Sequence, residues 1–126
     1  MKNISNMYDV SILPDQYAIN SVAGLYDSFE ADGVDFELLL SELKSAIVGS
    51  GILLDQDYQR WFLTEGMDYF YNPKLFAYAP LNCVCIFLSE LFKRFSLDEI
   101  SKHVPEMVIK CALSRLSDFK HRQLVS

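Results

Sequence analysis

The sequence predicts an all-α domain, a compact bundle of five to six helices spanning residues 1–126. Apolar residues recur at spacings of three and four in successive segments, which places them on one face of an α-helix. Asp, Ser or Pro residues that favour helix starts precede these segments, and glycines follow several of them. No segment shows the strict alternation of a half-buried strand. A chain of this length forms one domain with its own core.

The first two predicted helices each follow an aspartate that can cap a helix start. Asp15 precedes a helix that runs to about residue 31, and Asp35 precedes a helix over residues 36–48. We expect Gly33 to end the first helix and a turn at residues 49–51 to end the second. Their inward faces are Ala18, Val22, Leu25 and Phe29 in the first helix, and Phe36, Leu39, Leu40, Leu43 and Ile47 in the second.

A third, short helix is predicted over residues 56–65, after Asp55 and before Gly66. Its apolar side presents Tyr58, Trp61 and Phe62. Residues 67–80 have the weakest helical pattern, because three consecutive aromatics favour strand and the pair at 72–73 (Asn-Pro) favours a turn. Two alternatives remain open there: a small β-hairpin of residues 68–71 against 75–78, or a loop packed by its aromatic rings.

The second half of the chain predicts three further helices. Pro80 suits the first turn of a helix reaching about residue 95, whose wide apolar stripe makes it the central helix of the core. Ser96 and Glu99 have the spacing of a capping box, followed by a short helix to His103. Pro105 begins the last helix, which runs to about residue 121. Its inward side comprises Val108, Ile109, Ala112, Leu113, Leu116 and Phe119.

Charge is divided unevenly along the chain. Residues 1–70 hold twelve acids and three bases, a formal charge of −9, and residues 71–126 hold five acids and eight bases, a charge of +3. Ten of the acids fall between Asp27 and Asp68, and eight of the seventeen aromatics fall between Tyr58 and Tyr78. A net charge of −6 argues against nucleic acid or an anionic membrane as the partner, since phosphates are repelled.

No pattern in the chain indicates catalysis, a metal site or a cofactor. Cys83 and Cys85 point about 200° apart on a helix and cannot share one ion. The three cysteines are an odd number and lie in apolar segments, so we expect buried free thiols with no disulfide framework. Glu99 and His103 are four residues apart, which is typical of an exposed helix contact. We therefore expect a protein that is not an enzyme. The first ten residues lack the apolar run of a secretory signal, and we expect a cytoplasmic location.

The acidic and aromatic residues together are the best candidate site. An acidic rim around aromatic anchors steers and holds a basic partner. Whether Trp61 belongs to this surface or to the core stays open. The predicted partner-binding residues are Asp27, Glu30, Asp32, Asp35, Glu37, Asp55, Asp57, Trp61, Glu65, Asp68, Tyr69 and Tyr71.

The second half of the chain resembles small helical proteins of bacterial families, some of them in toxin–immunity loci. The resemblance rests on Trp61, Gly66 and Pro73, on the helix with Leu88, Leu91, Arg94 and Phe95, and on residues 113–116 (Leu-Ser-Arg-Leu). The short, acidic chain without catalytic motifs is similar as a class to immunity proteins of contact-dependent growth inhibition. The resemblance assigns no functional residue.

Together these observations favour an immunity protein that binds a cognate toxin domain, such as a nuclease, and covers its basic active site. The alternative is a non-enzymatic adaptor or regulator that acts through homo- or hetero-oligomers, including a homodimer. In that alternative the apolar helix over residues 81–95 serves as the interface.

Overall fold

The computed structural model describes residues 16–27, 35–50 and 58–119. These residues form, in order, α1 (Gln16–Ala23), α2 (Phe36–Ser50), α3 (Gln59–Leu63), α4 (Glu65–Tyr71), a 3₁₀ helix (Pro73–Tyr78), α5 (Leu81–Arg94), α6 (Leu97–His103) and α7 (Glu106–Asp118). No β-strand occurs in these ranges. The all-α prediction is confirmed, with the middle of the chain divided more finely than expected.

Helix α5 lies at the centre of the described elements. Every residue from Val84 to Phe92 is at most 3% exposed, so this stretch of α5 is covered on all of its faces. Helices α3 and α7 pack against α5, α1 packs against α7 and α2, and α2 packs against α6. The wide apolar stripe in the sequence therefore correctly predicts the central helix.

An aromatic cluster fastens α3, α4 and the 3₁₀ helix to α5. The ring of Phe87 on α5 lies 5.5 Å from that of Phe62, 6.0 Å from Tyr69, and 5.1 Å from both Phe70 and Phe76, measured between centroids. Such tilted and edge-to-face pairs stabilise a core beyond the apolar area that they bury. The aromatic-rich part of the sequence thus closes the core.

Glu90 is the one charged side chain among the described buried residues. Its carboxylate accepts a hydrogen bond from the backbone N–H of Tyr58 at 3.1 Å and pairs with Lys93 at 3.1 Å and Arg94 at 2.6 Å. A buried carboxylate is tolerated only when it is paired and hydrogen-bonded. This cluster therefore ties the start of α3 to the last turns of α5.

Two predicted helix caps are confirmed. Asp35 Oδ1 accepts from the backbone N–H of Glu37 at 3.0 Å at the start of α2. At the start of α6, Ser96 Oγ accepts from the Glu99 N–H at 3.1 Å, and Glu99 Oε1 accepts from the Ser96 N–H at 2.8 Å. This reciprocal pair is a complete capping box.

Some helix ends differ from the prediction. Helix α1 ends at Ala23 because Gly24 and Leu25 form a turn, which the pattern of the sequence did not reveal. Helix α2 continues through Gly49 and Ser50, where a turn was expected. Helix α7 ends at Asp118. The predicted caps at positions 15 and 55, the stop at 33, and residues 120–121 lie outside the described residues.

The prediction for the middle of the chain is wrong in its details. The short helix expected over residues 56–65 is observed as α3, which ends earlier, at Leu63. Thr64, whose hydroxyl donates to the Arg60 carbonyl at 2.7 Å, separates it from a further helix, α4, that was not predicted. Residues 68–71 belong to α4 and residues 73–78 to the 3₁₀ helix, so neither the hairpin nor the loop forms. Gly66 does not end a helix but lies within α4.

Glycine at position 66 allows α4 to approach α3 closely. A Cβ at this position would lie 3.2 Å from Cζ3 of Trp61 and 3.4 Å from Cδ1 of Phe62. Both rings are 1% exposed and fixed in the core. A side chain here would require the Trp61 ring to shift by a few tenths of an ångström, so tight packing favours glycine, and its presence does not indicate a helix stop.

We expect Gly66→Val to destabilise the protein by about 1–3 kcal/mol, because the added methyl groups overpack the core at Trp61. The control is Gly49→Val in α2, where nothing lies within 4 Å of the added Cβ. This variant should stay within about 0.5 kcal/mol of the wild type. Urea unfolding followed by circular dichroism measures both, and equal losses would contradict the packing role of Gly66.

We expect Glu90→Ala to cost about 2–4 kcal/mol of unfolding free energy, since it leaves a cavity and the buried N–H of Tyr58 without its acceptor. Glu90→Gln should cost less because its amide oxygen still accepts that bond. Asp98→Ala is the control, because Asp98 forms an exposed ion pair with Lys102 at 3.2 Å; its cost should be about 1 kcal/mol or less. A Glu90→Ala loss as small as that of Asp98→Ala would refute the anchoring role.

Candidate functional site

The first set of predicted site residues comprises Asp35 and Glu37 at the start of α2, and Asp27, which follows α1 in the chain. Asp27, Asp35 and Glu37 are all exposed. Two of them also serve the fold: Asp35 caps α2, and Glu37 Oε2 accepts a hydrogen bond from the hydroxyl of Ser101 on α6 at 3.1 Å. Asp35 and Glu37 therefore present negative charge close to the contact between α2 and α6.

The second set forms a stripe along α4. Glu65, Asp68 and Tyr71 follow one another at spacings of three, so each lies one turn beyond the last on neighbouring parts of the helix surface. All three are exposed, and Tyr71 is 82% exposed. We call these three residues the acidic ridge. The ridge joins two carboxylates to an aromatic side chain, the combination that the sequence predicted for a partner site.

The carboxylates of both sets are free of ion pairs with described cations. The ion pairs in the described ranges use Glu90, Asp98 and Asp118. None of these pairs includes Asp27, Asp35, Glu37 or the two acids of the ridge. Their charge therefore faces solvent, where it can act on a partner.

Two predicted aromatic site residues face the core. Trp61 is 1% exposed, and the ring of Tyr69 stacks on that of Phe76 at 4.4 Å between centroids. Burial raises the pKa of Tyr69 to about 12, with smaller contributions from Cys83, Glu65 and Asp68. The ring of Trp61 thus packs against α4 at Gly66. Tyr71 is the exposed aromatic residue of the ridge.

The structure brings Asp35 and Glu37 to one helix start and the ridge residues to one stripe. The two sets lie on elements with different neighbours: α2 packs against α1 and α6, whereas α4 packs against α3 and the 3₁₀ helix. Four further predicted site residues, Glu30, Asp32, Asp55 and Asp57, lie outside the described residues.

Sequence reasoning missed an apolar groove next to the ridge. The groove has a volume of about 590 Å³ and lies between α3 and α4 on one side and the α6–α7 region on the other. It is lined by Phe62, Leu63, Met67, Phe70, Tyr71, Phe95, Glu99, His103, Val104 and Pro105. These residues come from two segments separated by more than twenty positions, so no local pattern could have indicated the groove.

The three thiols have the properties of packed side chains. Cys83, Cys85 and Cys111 are free. Burial raises the pKa of Cys85 to about 12 and that of Cys83 to about 11, and Glu65 adds to the shift at Cys83. Thiols with raised pKa values carry little thiolate near neutral pH and are poor nucleophiles.

A metal-binding cluster and a membrane-crossing helix are both absent from the described ranges. No group of three or more His, Cys, Asp and Glu side chains there is arranged to hold a metal ion. None of the described helices combines the length and apolar content needed to cross a membrane. Glu99 and His103 line the groove together, and Glu99 also serves the capping box of α6.

Comparisons of the whole chain with known proteins gave no relatives. No family model, curated protein or solved structure matches it.

We expect the protein to lose stability as the pH rises above about 9. Tyr69, Cys83 and Cys85 have pKa values raised by folding, so the stability that they contribute is complete below their unfolded pKa values and is lost as the pH rises towards 11 to 12. Tyr69→Phe should flatten the alkaline part of this profile, because one of the raised groups is removed.

Urea midpoints measured from about pH 8 to about pH 11 test this expectation. The matched control is Tyr71→Phe, since Tyr71 is 82% exposed. Identical alkaline slopes for the two variants would contradict the assignment to Tyr69.

Proposed function

We propose that this chain is an immunity protein that binds a cognate bacterial toxin domain and neutralises it by covering its basic active site. The observation that carries the proposal is the acidic ridge, whose two carboxylates are exposed, have no described cation partner and stand beside the exposed ring of Tyr71. In this proposal the chain acts in the bacterial cytoplasm and performs no chemistry.

The inhibition follows from charge and shape. A toxin that cleaves nucleic acid holds phosphates with Lys and Arg side chains. The acidic ridge offers negative charge to the same cations, which speeds association and orients the complex. Tyr71 supplies apolar contact area at one end of the ridge, since aromatic residues are common interface anchors. Substrate then cannot reach the covered site.

The alternative is an adaptor or regulator that acts through oligomers, with the apolar helix over residues 81–95 as its interface. Residues 84–92 of α5 are buried within the chain itself, so the apolar helix over residues 81–95 does not offer that surface. The apolar groove is the surface that favours this alternative now. Light scattering over a range of concentrations separates the two, because a monomer at every concentration argues against homo-oligomeric action.

We expect the double substitution Glu65→Lys with Asp68→Lys to slow association with the toxin domain about tenfold or more at low salt. The difference should shrink as salt rises from about 50 mM to about 500 mM, because the added ions screen exposed charges. Stopped-flow association kinetics measure the effect, with the toxin domain taken from the protein encoded beside this chain. Co-expression of the two proteins tests growth protection.

The control is Asp98→Lys with Glu106→Lys, which changes the net charge equally at two other exposed helix starts. It should leave association within about threefold of the wild type. Equal slowing by both double variants would show that only net charge matters and would refute a site at the ridge. Failure of the wild-type chain to protect growth against that toxin would refute neutralisation.

A further inference from the structure

The apolar groove is open to solvent along its walls. Leu63 is 52% exposed, Tyr71 82% and Phe95 38%. A site for a small molecule encloses most of its ligand, burying about 70–90% of the ligand surface. The exposed walls of this groove are instead typical of a surface that a macromolecule covers, because exposed apolar residues gathered in one place mark such contacts.

The floor of the groove is fixed by the core. The ring of Phe62 lies 5.8 Å from that of Phe70 and 6.4 Å from that of Phe95, and both Phe62 and Phe70 pack on Phe87. The capping box holds the α6 wall. A groove formed before binding lowers the entropy cost of association.

The lining of the groove contains one acidic side chain, Glu99, and one imidazole, His103. Glu99 uses Oε1 for the Ser96 N–H, and its other carboxylate oxygen has no described partner. No described Lys or Arg side chain lines the groove. A cation beside an apolar side chain complements this arrangement.

We propose that the groove binds a segment of a protein partner that inserts an apolar side chain and places an adjacent Lys or Arg against Glu99. The inserted side chain rests on Phe62 and Phe70, and Tyr71 and Leu63 cover it from the sides. The negative charge of Glu99 favours a partner segment with Lys or Arg beside the inserted side chain and repels one with Asp or Glu there. This inference specifies the partner chemistry for the surface next to the ridge, and it rests on the proposed function only for the partner being a protein.

The experiment uses two synthetic amphipathic helical peptides of about 14 residues and the full chain. Both peptides carry the same Leu and Phe face, with Lys on the polar face of one and Glu on that of the other. Fluorescence anisotropy of labelled peptide gives the Kd. We expect the Lys peptide to bind at least about tenfold more tightly than the Glu peptide.

Two double variants distinguish peptide binding in the groove from nonspecific binding to exposed apolar side chains. Leu63→Ser with Tyr71→Ala removes both exposed walls and should weaken Lys-peptide binding by about tenfold or more. The control, Leu38→Ser with Tyr78→Ala, removes residues of the same types whose exposures, 56% and 87%, are closely matched but which do not line the groove. It should keep the wild-type Kd within about twofold.

Glu99→Gln tests the charge alone, because glutamine keeps the capping box. It should reduce the preference for the Lys peptide by about threefold to tenfold while leaving the urea midpoint near that of the wild type. An unchanged preference would overturn the role of Glu99, and equal effects of the two double variants would overturn the groove.

The other occupants give distinct results that also overturn the proposal. A dimer in sedimentation equilibrium that the Leu63→Ser, Tyr71→Ala variant dissociates would assign the groove to a second copy of the chain. A small molecule retained in native mass spectrometry by the wild type and lost in that variant would assign it to that ligand. Peptide binding needs no toxin, so failure of the groove and failure of neutralisation are separately observable.

Discussion

The pairing of the Glu90 carboxylate is the interaction on which the central helix depends. A helix covered on all faces can carry an acidic side chain only if that side chain keeps its partners after leaving water. The N–H of Tyr58 and the cations of Lys93 and Arg94 supply them. The same contacts position the start of α3, and α3 in turn carries Trp61 and Phe62 into the core. Among the described residues, no buried side-chain polar atom lacks a hydrogen-bond partner.

Buried and exposed carboxylates differ in whether they form ion pairs. The buried carboxylate is paired, whereas the acids of the ridge and of the α2 start face solvent without described cations. Four of these acids also have local roles in the fold. Asp35 caps α2, Glu37 accepts a hydrogen bond from Ser101, and Glu65 and Asp68 lie in the first turn of α4, where negative charge is favoured by the helix dipole. The apolar groove lies beside the ridge and shares Tyr71 with it, so apolar contact and charge are available side by side.

The sequence predicted the features that local chemistry determines. The caps at Asp35 and Ser96 follow from side chains that reach amides two or three residues away. The stripes of α2, α5 and α7 follow from the helical period, and most of their apolar positions are buried. Phe36, Leu81 and Phe119 are half-buried, and Phe95 is exposed.

The features that the sequence did not predict depend on contacts between distant residues. Gly66 was interpreted as a stop because its contact with Trp61 exists only after α3 and α4 have packed. The burial of Glu90 was not predicted, because the apolar stripe of α5 indicates only which face of the helix packs against the core. It does not indicate that the remaining faces are covered as well. Lys and Arg three and four residues later were the available signal for that pair. The groove has no local signature, since its walls meet only in the fold.

The contact between Gly66 and Trp61 also has an evolutionary consequence. Two positions that share one fixed volume cannot vary independently, because extra atoms at one must be matched by atoms lost at the other. Homologues in which position 66 bears a large side chain should therefore bear a smaller residue than tryptophan at position 61. Exposed residues are free of this restraint, so they can change while the helical scaffold is inherited intact.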